Sequence, residues 1–306
     1  MKQRIITGIF LVLFLVPIVM IGGWLFHLVI GAGVVIASIE MFNMFDHEEK
    51  FPLVPKIICI ILSLGSYAML SALWIFNEIQ NYDFSIYPVC IAFLFLQNVF
   101  ILTMFVFDSN FTVKDAMKAF IVVNYVSFGF SALSFLRGLG VRFIIYLLII
   151  TAATDAFAYL FGVKFGKHKM CPSISPKKSW EGAIAGTVFG TTLSTIFAFF
   201  YGNLFKGEIW NAEGNQTLLE NFCSLGENQD FVQFIAIFLI SLCGSILGQV
   251  GDLVASKMKR TYNIKDYGRI FPGHGGVLDR FDSAIFVSLA LVGIFIILRI
   301  IFPIPL

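Results

Sequence analysis

The feature that most constrains this chain is a succession of apolar runs, each close to the roughly 20 residues that carry an α-helix across a bilayer core. Nine stand out, at approximately 5–21, 24–42, 57–76, 86–107, 119–136, 143–162, 183–205, 231–252 and 284–302. In lipid every backbone N–H and C=O must be satisfied within the chain, and a helix does this locally. The expected fold class is therefore all-α, a polytopic membrane protein with about nine transmembrane helices and a cytoplasmic N-terminus. Composition agrees. Of 306 residues, 58% are hydrophobic and 13% charged, about half the ~25% charged share of a soluble domain. So few polar groups could not cover a globular surface, which excludes a soluble fold. Met1-Lys2-Gln3-Arg4 before an apolar run resembles a signal peptide. The run instead continues through Gly22-Gly23 into a second one without a small-x-small cleavage site, so it reads as an uncleaved span, either in a tight hairpin or in one broken element. No hydrophilic stretch is long enough for a soluble domain. The expected division is 1–140, with about five N-terminal spans, and 141–306, a catalytic region with polar loops 163–182 and 253–283.

Lys and Arg set the orientation, because cytoplasmic loops carry their excess. With the N-terminus inside, seventeen of the 21 basic residues fall on the cytoplasmic side, against Arg137, Arg142 and Lys206 outside and Arg299 near the end of the last span. The outer loop 206–230 is acidic, with Glu208, Glu213, Glu220, Glu227 and Asp230. Its Asn215-Gln216-Thr217 triplet has the form of a glycosylation sequon, a triplet common by chance. The two polar loops share the cytoplasmic face, and polar chemistry is expected there, on the inner membrane if the source is bacterial. The five cysteines, Cys59, Cys90, Cys171, Cys223 and Cys243, include no C-x-x-C pair and read as structural.

Loop 253–283 is unusual for a positive-inside loop, because acids and a His-Gly-Gly triplet are embedded among its bases. Asp252 ends the eighth span, and Asp279 and Asp282 open the ninth. A carboxylate at the edge of a membrane helix is costly without a partner. If the two spans are antiparallel neighbours, their acids converge on a hard cation. Mg²⁺ takes one or two protein carboxylates plus phosphate oxygens and waters. Lys257, Lys259, Arg260, Lys265, Arg269 and Arg280 surround those acids and suit a polyphosphate. Gly273, Gly275 and Gly276 remove side chains around His274, so backbone N–H groups can approach phosphate oxygens.

From Ser256 to Asp282 the chain resembles the signature of the phosphatidate cytidylyltransferase family. Ser256, Met258, Lys259, Arg260, Lys265, Asp266, Gly268, Phe271, Pro272, His274, Gly275, Gly276, Val277, Asp279, Arg280, Phe281 and Asp282 fill its positions. Gly251-Asp252 precedes the serine as in that family. Ser175-Pro176-Lys177-Lys178-Ser179-Trp180-Glu181-Gly182 and Asp155-Ala156-Phe157-Ala158-Tyr159 resemble two further family segments. The resemblance covers the C-terminal half; the first 140 residues match only in being hydrophobic spans.

The resemblance implies that CTP and phosphatidate give CDP-diacylglycerol and pyrophosphate. A lipid phosphate is already ionised at neutral pH, so catalysis should consist of positioning and charge neutralisation rather than general-base chemistry. On this reading Asp252 and Asp279 hold Mg²⁺, with or without a second cation, and Asp282 or Asp155 completes or supports the site. Lys259, Arg260, Lys265 and Arg280 bind CTP phosphates and the departing pyrophosphate. Lys177 and Lys178 bind the lipid phosphate or CTP, and Ser256, His274, Gly275 and Gly276 contribute to substrate binding. Expected partners are CTP, phosphatidate and membrane lipids, with no nucleic acid, the chain acting alone or as a homodimer. Asp155 alone could be a hydrogen-bonded structural acid, and either lysine alone could snorkel to lipid headgroups. His27, His47 and His168 read as structural or interfacial. A CTP-dependent lipid kinase, or a cytidylyltransferase for another lipid phosphate, is the nearest alternative. A transporter is distant, because it would place paired charges at the midplane and often show internal repeats.

Overall fold

The computed structural model describes residues 2–79, 86–205, 216–227 and 230–304. They form α1 (Lys2–Ile21), α2 (Gly23–Phe45), α3 (Leu53–Ile79), α4 (Ile86–Phe107), α5 (Val113–Leu139), α6 (Val141–Phe165), α7 (Trp180–Phe199), a single turn α8 (Tyr201–Leu204), α9 (Phe231–Thr261) and α10 (Leu278–Ile301). Among the described residues eight helices are long and apolar enough to cross a membrane; the apolar part of α1, Phe10–Ile21, is shorter. The protein is an all-α multi-pass membrane protein, as its apolar runs predict.

Three features differ from the sequence reading. First, α5 and α9 run well past their apolar stretches. Helical hydrogen bonding does not stop where lipid does, and Ala, Lys, Met and Arg are good helix formers. Ser256, Lys259 and Arg260 therefore lie on α9, not in a loop. Second, α10 starts at Leu278, several residues before the expected span. Third, loop 163–182 contains an antiparallel hairpin of β1 (Lys169–Cys171) and β2 (Ser175–Ser179), with Lys169 opposite Ser179.

The chain divides into two compact units. One comprises Met1–Gly138 with Met258–Phe281, the other Leu139–Lys257 with Asp282–Leu306. In the first, Gly22 and Gly23 adopt φ of 68° and 56° and break α1 from α2. A Cβ on Gly22 would collide with the Arg137 guanidinium. Arg137 donates from Nε to the Val19 carbonyl at 2.5 Å and from Nη2 to the Met20 carbonyl at 3.1 Å. A cation thus satisfies the orphan carbonyls that end α1. Val34, Ala37, Met41 and Phe42 of α2 are wholly buried, and the Tyr67 hydroxyl bridges His27 Nδ1 (3.2 Å) and Ser134 Oγ (3.0 Å).

In the second unit α7 lies unusually close to α6. A Cβ on Gly182 would stand 2.5 Å from the Ala158 carbonyl, and one on Gly186 2.6 Å from the Thr154 carbonyl. Such small-residue seams let membrane helices approach backbone to backbone. Hydroxyl pairs tie α6 to α9, Tyr146 to Ser241 and Thr154 to Ser245, both at 2.7 Å. Gln249 of α9 donates to the Ala183 carbonyl and the Thr187 hydroxyl of α7. All five cysteines are free. Lys206, Glu208, Glu213 and Asn215 lie outside the described residues, and Thr217 of the sequon is buried, accepting from Gln233 Nε2 at 2.7 Å.

Candidate active site

The signature segment begins on the last turns of α9. Beyond Thr261 the backbone turns at Asn263, whose φ is 55°, and the Ile264 N–H closes on the Lys259 carbonyl. A second tight turn follows. The Phe271 N–H donates to the Gly275 carbonyl and the His274 N–H to the Phe271 carbonyl. Gly273 and Gly275 sit at φ of 76° and 84°, a region glycine enters without a Cβ penalty. A Cβ on Gly275 would also lie 2.7 Å from Asp279 Oδ2. These two glycines are required by backbone geometry.

Asp279 organises this part of the first unit. Its Oδ1 accepts from Lys259 Nζ at 2.7 Å, and its Oδ2 accepts from the Tyr267 N–H at 2.7 Å and the Gly276 N–H at 2.9 Å. The Lys259 and Asp279 side chains are only 10% and 4% exposed, so this is a buried ion pair whose carboxylate accepts three hydrogen bonds. Beside it a cleft of about 600 Å³ is lined by Lys265, Asp266, Arg269, Arg280 and the His274 turn. Three cations face one carboxylate there, and no ion pair among the described residues engages those cations. The buried Nδ1 of His274 has no hydrogen-bond partner among the described residues. Helix α1 reaches the same turn, where the Thr7 hydroxyl donates to the Pro272 carbonyl at 3.1 Å.

The second unit carries its own charged cluster. On β2 Lys177 is exposed, while Lys178 is part-buried. Lys178 Nζ pairs with Asp252 Oδ2 on α9 at 2.5 Å. One turn further along α9 the Ser256 hydroxyl lies 3.4 Å from Asp252 Oδ1. Asp155 of α6 is an electrostatic neighbour of both Asp252 and Lys178. Ser179 caps α7, accepting from the Gly182 N–H. Glu181 holds His168 through its ring Nδ1 at 2.6 Å and its backbone N–H, which secures the hairpin to α7. Two carboxylates and a hydroxyl suit a hard divalent cation completed by phosphate oxygens, and the Lys178 ammonium beside Asp252 suits a phosphate.

The profile of the Cytidylyltransferase family matches residues 2–299. The chain belongs to that family. It is similar to a protein named phosphatidate cytidylyltransferase from Staphylococcus haemolyticus, 32% identical over 288 residues that cover 94% of this chain and 96% of the relative. The protein of the same name from Staphylococcus aureus strain COL is 33% identical over 292 residues, again 94% and 96% of the two chains. The likeness therefore extends over the N-terminal spans as well, where the sequence motifs had been silent.

Within this cytidylyltransferase the predicted residues separate into two groups. Asp279, Lys259, Arg260, Lys265, His274, Gly275, Gly276 and Arg280 stand in the first unit, and Asp155, Lys177, Lys178, Asp252, Ser256 and Asp282 in the second. Lys259 turns inward onto Asp279, and Arg260 Nη1 donates to the Ile264 carbonyl. Asp282 accepts from the Ser283 N–H at 2.8 Å. Among the described residues no cluster of three or more His, Cys, Asp or Glu side chains forms a metal cage, so a cation here would lean on substrate oxygens. Sequence reasoning missed Arg269 as a cleft residue with a named role. It also missed Glu40, a buried acid of α2 that accepts from the Val277 and Leu278 N–H groups. An acid inside an apolar run was the signal available for Glu40.

Proposed function

We propose that this cytidylyltransferase transfers the cytidylyl group of CTP to the phosphate of phosphatidate, yielding CDP-diacylglycerol and pyrophosphate. The observation that carries the reading is the cleft of the first unit, where Lys265, Arg269 and Arg280 border a glycine turn braced by Asp279. It is a site built for a polyphosphate, within a chain whose relatives are named for this reaction. An oxygen of the lipid phosphate attacks the α-phosphorus of CTP, the bond between α-phosphorus and bridging oxygen breaks, and pyrophosphate leaves with that electron pair. The nucleophile is already an anion, so the barrier is the meeting of like charges, and fixed cations lower it.

Each group then has a task. Lys265, Arg269 and Arg280 hold the nucleotide phosphates and the leaving pyrophosphate. The glycine turn at 273–276 lets backbone N–H groups come close, and His274 contributes to substrate binding. Lys259 and Asp279 keep the turn in place, and Arg260 supports it. Lys178 and Lys177 receive the lipid phosphate or the nucleotide, with Ser256 beside them. Asp252, with Asp155, would hold Mg²⁺, whereas both oxygens of Asp279 are taken by Lys259 and two N–H groups. When bound, Mg²⁺ would neutralise phosphate charge and polarise the α-phosphorus. The stretch 141–306, with its two polar loops, bears most of this chemistry. The positive-inside bias supports a cytoplasmic site, which in a bacterial cell would be on the inner membrane. The partners are CTP, phosphatidate and surrounding lipid, with no nucleic acid, and the enzyme acts alone or as a homodimer.

The test is purified protein in phosphatidate-containing micelles with Mg²⁺ and CTP labelled at either the α- or the γ-phosphate. Nucleotidyl transfer puts α-label into lipid and γ-label into pyrophosphate. Lipid that gains γ-label would mean a kinase and would end the proposal.

A further inference from the structure

The turn that borders the cleft is pinned from a distant helix. Glu40 of α2 is 4% exposed. Its Oε1 accepts from the Val277 N–H and its Oε2 from the Leu278 N–H, each at 2.9 Å. A Cβ on Gly268 or on Gly276 would collide with the same carboxylate, so both glycines clear its path. No ion pair involves Glu40 among the described residues. Its compensation is the two N–H groups and the positive end of α10. Adjacent to it, Asp279 takes the Gly276 N–H. Three consecutive N–H groups, at 276, 277 and 278, are thus held by two carboxylates immediately before Arg280, which lines the cleft.

From this geometry we infer that Glu40 is a positioning residue for the reaction: it caps α10 from α2 and so sets the orientation of the His274 turn and Arg280. The inference rests on the proposed cytidylyl transfer for its catalytic consequence, but not for the clamp itself. Each of the two N–H donors meets its own oxygen of Glu40. A carboxylate supplies both oxygens, whereas an amide supplies one and sets an NH₂ against the other donor. A purely structural role would be met by any side chain that filled the same volume.

The experiment compares E40Q, E40D and V34A with wild type, each purified in lipid nanodiscs. Val34 is a wholly buried neighbour on α2 that touches none of this machinery by hydrogen bonding. Hydrogen exchange is read over 265–280, and turnover is measured with CTP and phosphatidate. In E40Q, exchange in 265–280 should accelerate at least tenfold and kcat should fall at least tenfold. E40D, which keeps two oxygens, should lie between E40Q and wild type. V34A should lower thermal stability while leaving exchange at 265–280 and kcat near wild type. If E40Q does not fold, E40D carries the test and must exchange faster and turn over more slowly than V34A. Wild-type exchange and kcat in the Glu40 variants, or losses matched by V34A, would overturn the inference. A wild type inactive with CTP and phosphatidate would remove the functional reading alone, because the exchange arm needs no substrate and still decides the clamp.

Discussion

Replacing Asp279 with alanine removes a carboxylate that accepts three hydrogen bonds at 2.7, 2.7 and 2.9 Å. The loss has two parts. Lys259, its side chain 10% exposed, loses its ion-pair carboxylate, and breaking a buried pair costs about 3–5 kcal/mol. The Tyr267 and Gly276 N–H groups lose their acceptor, at roughly 1–3 kcal/mol each where water cannot reach them. These terms are not additive, but a loss of about 5 kcal/mol is a large part of a typical stability of roughly 5–15 kcal/mol. The double variant K259M/D279A removes the Lys259 charge and should recover about 3 kcal/mol or more, leaving the amide deficit. Both variants should be inactive, because the turn beside the cleft has lost its brace. Reversible unfolding in mixed micelles reads the stabilities, and CDP-diacylglycerol formation reads the activity. The reasoning fails if D279A unfolds within about 1 kcal/mol of wild type, a difference typical of surface sites, or if the double variant is no more stable than the single one.

Other expectations follow from the second unit. The Lys178–Asp252 pair is 28% and 29% exposed, so K178M should change stability by less than about 1 kcal/mol. Its turnover in the same assay should nevertheless drop roughly 10²–10³-fold, as when one preorganised electrostatic group is lost. G186A would drive a methyl group to 2.6 Å from the Thr154 carbonyl and 2.8 Å from Ala158 Cβ. Backbone cannot yield as a side chain can, so thermal stability in detergent should fall by about 1–3 kcal/mol or more.

Much of the fold was legible in the sequence because lipid imposes one rule: a run of apolar residues of the right length becomes a helix. The ends were not legible by that rule. Ser256, Lys259 and Arg260 continue α9 beyond its apolar stretch because their backbone hydrogen bonds do not depend on side-chain polarity. The hairpin of β1 and β2 was hidden because Ser175-Pro176-Lys177-Lys178-Ser179 shows no alternation of apolar residues, and its order comes from pairing and from the His168–Glu181 contact. Within the site, residue types pointed to phosphate chemistry, but a basic residue reads the same whether it faces the cleft, like Arg280, or folds inward, like Lys259. Glu40 stood out only as an acid inside an apolar run: its partners are backbone N–H groups 237 and 238 positions away, and backbone groups leave no mark in a sequence.

Charge neutralisation by a carboxylate-held metal and fixed cations is the central proposal for the chemistry, and Asp252 tests it most directly. Wild type and D252N, purified side by side, should be compared for CDP-diacylglycerol formed per pyrophosphate released across a Mg²⁺ titration. The wild type should form the two products one for one in a Mg²⁺-dependent manner, while folded D252N falls to below about a hundredth of that rate. Near-normal turnover in D252N, or wild-type turnover that persists without any divalent cation, would contradict it.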